Sequence, residues 1–106
     1  MGADRVSHVT THVLDAAAGT PATGVPVSLH DESGEILGIA VTNADGRVAD
    51  LGPDALPAGI YTIVFDTSAL STFYPNVTIT FTVSDDSHYH VPLLLSPYAY
   101  STYRGS

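Results

Sequence analysis

The side chains able to do acid–base or anion chemistry fall into three short stretches of this 106-residue sequence. The first holds His8 and His12. The second is Arg47, directly after the turn residues Asn43, Ala44, Asp45 and Gly46. The third runs from His88, Tyr89 and His90 to the final Tyr103, Arg104, Gly105 and Ser106. His12 and His90 each sit inside an alternating apolar run, on the face opposite Val13 and Val91. With those valines turned to a core, both imidazoles stand on the outer face of a sheet. A neutral imidazole titrates near ~6.5 and takes a proton from water at neutral pH. A guanidinium is a planar fork of donors suited to flat, oxygen-rich ligands and to developing negative charge. Taken one at a time, each of these residues also fits an ordinary polar position on a strand or turn.

His88 and His90 lie two apart, so on a strand they share a face and could chelate zinc or copper. Spacing supplies no third ligand. HExxH, CxxC, EF-hand, P-loop and GxGxxG patterns are absent. No metal and no cofactor is therefore expected. Ser106 has no Ser-His-Asp pattern around it and is not read as a nucleophile on spacing alone.

Strands must position these groups. Val, Thr, Ile and Tyr are abundant, and turn signals recur along the chain, the pattern of a small all-β sandwich. Residues 7–15 alternate, with Val9, Thr11 and Val13 on one face and His8, Thr10, His12 and Leu14 on the other. Residues 16–24 are small, Gly- and Pro-containing, and read as a loop. Further strands are expected at 25–30, 37–41, 61–65, 77–83 and 88–96, with a last short one at 101–104. Pro26 places the second strand at an edge or at its own first residue. The run 66–75 breaks the alternation. Asp66 or Thr67 can cap a helix and Pro75 can stop it, so one short α-helix is predicted there. The expectation is one domain over residues 1–106, with about eight strands and one short helix.

Composition narrows the function classes. Apolar residues make up 44% of the chain, too many for wholesale disorder. Eleven acidic residues face three basic ones, Arg5, Arg47 and Arg104, giving a formal charge of −8. Nucleic acids and anionic membranes both demand a basic footprint, so neither is an expected partner. The absence of cysteine excludes disulfides and thiolate chemistry. No apolar run approaches the ~20 residues of a membrane span, and the first residues lack an apolar signal core. The expected setting is the cytoplasm.

Over nearly its whole length the sequence resembles the transthyretin-like family, in its hydrolase branch. The resemblance is carried by Thr11-His12-Val13-Leu14-Asp15, by Gly19-Thr20-Pro21-Ala22 and by Thr42-Asn43-Ala44-Asp45-Gly46-Arg47. It continues in His90-Val91-Pro92-Leu93-Leu94-Leu95-Ser96-Pro97 and ends in Tyr103-Arg104-Gly105-Ser106. The last tetrapeptide is the most specific part, since it separates the hydrolases from the hormone-carrying transthyretins. Ala99 departs from the glycine that many members carry there. The resemblance implies a two-sheet, prealbumin-like sandwich of about eight strands with one short helix. It implies hydrolysis of 5-hydroxyisourate, the product of urate oxidation, to 2-oxo-4-hydroxy-4-carboxy-5-ureidoimidazoline. His12, Arg47, His90 and Ser106 match the catalytic set, and Arg47, Tyr103, Arg104, Gly105 and Ser106 match the substrate-binding residues. His12 and His90 together would position and deprotonate water, with the choice of base left open. The implied assembly is a homotetramer, a dimer of dimers, with sites at the interface. The alternative is a transthyretin-like carrier of small aromatic ligands without catalysis.

Overall fold

The alternating runs become strands in the computed structural model, which describes residues 7–105. Arg5 and Ser106 lie outside the described residues. In chain order the strands are β1 (Val9–Asp15), β2 (Thr20–Pro21), β3 (Pro26–His30), β4 (Ile36–Val41), β5 (Arg47–Val48), β6 (Gly59–Asp66), β7 (Asn76–Val83), β8 (Tyr89–Ser96) and β9 (Ala99–Thr102). They form two sheets. One is ordered β2-β1-β8-β9, with β5 also pairing with β1; the other is ordered β4-β3-β6-β7.

Period-two patterning decides which side of each strand meets the other sheet. Val9, Thr11 and Val13 of β1 and Tyr89, Val91, Leu93 and Leu95 of β8 are buried. They meet Val27 and Leu29 of β3, Tyr61, Ile63 and Phe65 of β6, and Val77, Ile79 and Val83 of β7 in one apolar core. Each fully buried large side chain contributes about 1.5–3 kcal/mol. Thr11 is the polar member of this layer. Its hydroxyl donates to the Val91 carbonyl at 2.6 Å, so it fastens β1 to β8 from the inside. No buried side-chain nitrogen or oxygen among the described residues is left without a partner.

The two strands missing from the sequence-based expectation are β2 and β5. Each has two residues, too few to register as a periodic run. Both use the free edge of β1: Leu14 and Asp15 pair with Pro21 and Thr20, while Thr11 and His12 pair with Val48 and Arg47.

The helix predicted over 66–75 does not form. The segment makes a single turn, in which Leu70 and Ser71 donate to the Thr67 carbonyl at 2.9 and 3.0 Å. Side chains then take over the backbone groups a helix would use. Asp66 Oδ1 accepts from the Ser68 amide, Ser71 Oγ accepts from the Phe73 and Tyr74 amides, and the Thr67 hydroxyl donates to the Tyr74 carbonyl. Residues that cap a helix well also compete with it when they cluster.

Gly46 is the fold's tightest conformational requirement near the candidate residues. Its φ is +74°, and a Cβ there would press into the Val13 carbonyl oxygen. A Gly46→Ala substitution is therefore expected to lower stability by about 2 kcal/mol or more. Thermal or urea unfolding at fixed protein concentration measures this, and an unchanged midpoint would contradict it.

Candidate active site

The site is built on the outer face of β1 and β8. These strands run parallel, and their register sets Thr10 beside His90 and Thr11 beside Val91. Neighbouring strands lie only ~4.8 Å apart, so the Thr10 and His90 side chains meet on the outer face. Thr10 Oγ1 lies 2.8 Å from His90 Nδ1 and 2.9 Å from His88 Nε2. The two imidazole rings sit 6.3 Å apart with the threonine hydroxyl joining them. Thr10 is buried, His90 is half-buried and His88 is exposed.

Arg47 arrives from the other side of β1. The turn before it closes with the Gly46 amide donating to the Asn43 carbonyl at 2.9 Å. Asn43 Oδ1 accepts from the Asp45 and Arg47 amides at 2.9 and 3.0 Å. That asparagine clasp and the left-handed Gly46 bring the chain out of the turn against β1, with Arg47 opposite His12. His12 is tied to the same turn, its Nε2–H donating to the Asp45 carbonyl at 2.9 Å. In the neutral ring this bond places the hydrogen on Nε2 and the lone pair on Nδ1.

A cavity of about 240 Å³ opens among these groups, lined by Thr10, Arg47, Val48, Ala49, His88 and His90, with Thr11 at its floor. His12 does not line it. It stands two positions along β1 from Thr10, about 7 Å on. His90 is held below the ordinary histidine value of 6.5, first by burial, then by the positive charge of Arg47, then by His88 and His12. The neutral ring, able to accept a proton, is the favoured form.

Gly105 touches this arrangement from the chain's end. Its amide donates to the His90 carbonyl at 2.7 Å, and the two residues form an isolated antiparallel bridge. Tyr103 and Arg104 are not brought to the histidine cavity. They line a second recess of about 330 Å³ with Ile79, Phe81 and Tyr89. Arg104 stacks over the Tyr89 ring at 4.1 Å and donates to Ser87 Oγ at 3.0 Å. His8 and His30 stay outside the site. His8 is buried, with Nδ1 accepting from the Leu56 amide and Nε2–H donating to the Ser87 carbonyl. His30 is paired with Ser28. Among the described residues, no group of three or more His, Asp or Glu side chains is placed to hold a metal ion.

Thr10 carried no weight in the sequence reading. Its outward position beside His12 was visible in the alternation, but the parallel partner that gives it a role was not. His88 was noticed only as half of a chelating pair.

The HIUase/transthyretin family model matches residues 9–105. The chain belongs to that family. A probable 5-hydroxyisourate hydrolase of Schizosaccharomyces pombe is 39% identical, over 92% of this chain and 90% of its own length. The solved 5-hydroxyisourate hydrolase of Klebsiella pneumoniae superposes with a TM-score of 0.83 at 42% identity, covering 92% of this chain and 97% of that one. Sea bream transthyretin, solved in complex with thyroxine, gives a TM-score of 0.80 at 30% identity, covering 92% and 93% of the two chains. The fold is thus shared by hydrolases and by a hormone-binding protein. Among the described residues no helix is long and apolar enough to cross a membrane.

Gly105 gives a direct probe of the site. A Cβ there would lie 2.6 Å from His90 Cδ2. Gly105→Ala should displace the His90 ring and change its NMR resonances while the thermal midpoint moves little. A His90 spectrum identical to that of the unsubstituted protein would contradict this contact.

Proposed function

We propose that this chain hydrolyses 5-hydroxyisourate, opening its lactam to give 2-oxo-4-hydroxy-4-carboxy-5-ureidoimidazoline in the breakdown of urate. The observation that carries this reading is a neutral, half-buried His90 facing a cavity together with Arg47. The high similarity to hydrolases over almost the full length supports it. Hydrolysis of a cyclic amide needs a base for water, a cation for the oxyanion and a proton for the departing nitrogen. His90 supplies the base. Water attacks the carbonyl carbon, the C–N bond breaks, and the nitrogen leaves protonated. Arg47 holds the flat, oxygen-rich ring and the developing negative charge. His12, held at Nε2 by the Asp45 carbonyl, is the second histidine of the site in this reading and stands beside the cavity rather than in it.

In this reading Tyr103, Arg104, Gly105 and Ser106 close the site. Gly105 does so against His90 and Arg104 by clamping the segment to Tyr89 and Ser87. Residues 1–106 act as one domain without a cofactor. The outer face of β1 and β8 becomes a pocket wall in a homotetramer, a dimer of dimers, acting on a small substrate in the cytoplasm. A carrier without catalysis is the second reading, favoured by the likeness to thyroxine-bound transthyretin.

The two are separated by generating 5-hydroxyisourate from urate with urate oxidase and following its ultraviolet absorbance. Decay clearly faster than the spontaneous rate is expected; decay at that rate would favour the carrier. His90→Ala should lower kcat/KM by about 10²-fold or more, and Arg47→Ala by about 10²–10³-fold.

The pH dependence has a defined sign. Because His90 is held below 6.5, its basic form persists through that value as pH falls. The acid limb of kcat/KM should therefore lie below pH 6.5. Since Arg47 contributes to the depression, Arg47→Met should move the limb upward in the residual activity. A limb that stays fixed would show that another group controls it.

A further inference from the structure

We propose that Thr10 and His88 form a proton wire that connects His90 to solvent, resting on the hydrolase reading above. The geometry is a three-member chain: His90 Nδ1, Thr10 Oγ1 at 2.8 Å, and His88 Nε2 at 2.9 Å from the same oxygen. A hydroxyl has one hydrogen to give. Thr10 therefore donates to one ring and accepts from the other, and because it meets Nδ1 of His90 but Nε2 of His88, the two neutral rings hold the same tautomer. The middle member, Thr10, is buried, His90 is half-buried, and His88 at the far end is exposed.

The proton balance closes over a full cycle. At rest His90 carries its proton on Nδ1 and donates it to Thr10, Thr10 donates to His88 Nε2, and His88 is protonated on Nδ1. His90 Nε2 takes a proton from the attacking water. The His90 Nδ1 proton then passes to Thr10 as the Thr10 hydrogen passes to His88, and His88 releases its Nδ1 proton to solvent. When the C–N bond breaks, His90 Nε2 gives its proton to the leaving nitrogen. His90 Nδ1 recovers a proton from Thr10, Thr10 recovers one from His88 Nε2, and His88 Nδ1 takes one from solvent. The starting tautomers return, with no net proton stored.

The wire has an electrostatic purpose. Arg47 on β5, His12 on β1 and His88 beside β8 all disfavour a cationic His90. Moving the charge to the exposed His88 places it where water can screen it. Thr10 has a register neighbour that serves as its control. Thr11 is also hydroxylated, yet its hydrogen is committed to the Val91 carbonyl on the buried side.

The test uses the full chain, 5-hydroxyisourate and four variants. Thr10→Val keeps the shape and removes the hydroxyl, and Thr10→Ser restores it. His88→Gln removes the terminal acceptor, and Thr10→Val/His88→Gln combines both losses. In dilute buffer Thr10→Val and His88→Gln should each lower kcat by about tenfold or more with little change in KM. The double variant should be no slower than the worse single one, because both break one path. Thr10→Ser should recover most of the loss, and added imidazole buffer should rescue His88→Gln but not Thr10→Val.

Wild-type kcat in either single variant would overturn the wire. So would a loss confined to KM, which would make His88 a substrate contact. Nitrogen-15 NMR of the imidazoles separates this proposal from the hydrolase reading. Matching tautomers of His88 and His90, both protonated on Nδ1, with the match lost in Thr10→Val, are expected even if 5-hydroxyisourate is not the substrate. Opposite tautomers in the unsubstituted protein would refute the wire, whatever the activity.

Discussion

The parallel ladder between β1 and β8 joins residues 80 positions apart in the chain, from Val9 against Tyr89 to Asp15 against Leu95. Closing so large a loop costs entropy before any contact is gained, and parallel pairing is slightly weaker per residue than antiparallel. The offset comes from the buried side. Val9 and Val13 meet the core from one strand, Tyr89, Val91, Leu93 and Leu95 from the other, and Thr11 locks the register by its bond to Val91. A slip of one residue would turn every one of these to solvent. The polar face inherits its geometry from that apolar one: Thr10 meets His90 because Thr11 and Val91 have no other place to go.

On this frame, charge is placed against the protein's own background. The chain carries a formal −8, yet the cavity is lined by a guanidinium and two imidazoles. Arg47 is exposed and acts at short range, and it makes protonation of its neighbour His90 costly. His12 is held differently, through a backbone carbonyl of the Arg47 turn. The two candidate histidines are thus under different restraints, one set by field and one by a hydrogen bond.

Much of this was legible in the sequence because alternation is a strong signal. The long strands, the inward Val9, Thr11 and Val13, and the outward His12 and His90 followed from period two. The tight turn before Arg47 followed from Asn and Gly. The pairings did not follow. Two-residue strands leave no periodic trace, so β5 could not be seen bringing Arg47 opposite His12. The same blindness hid Thr10, whose role comes from a neighbour 80 positions away. The helix over 66–75 failed for a local reason: Asp66, Thr67, Ser68 and Ser71 satisfy the turn's own backbone. The terminal motif divides in three dimensions, Gly105 toward His90 and Arg104 toward Tyr89.

The histidine cavity draws its walls from one sheet and the segments flanking it. β3, β4, β6 and β7 contribute no residue to it and meet the site only through the shared core. The chemistry is therefore confined to one half of the sandwich, while packing constrains the inner faces of both. The outer surface of the β4-β3-β6-β7 sheet, with its exposed Ile36, Ile39 and Val41, is free to drift or to be rebuilt as long as its inner side keeps its volume. A fold divided in this way can exchange one chemistry for another by rewriting a single face, with the opposite sheet left intact as ballast.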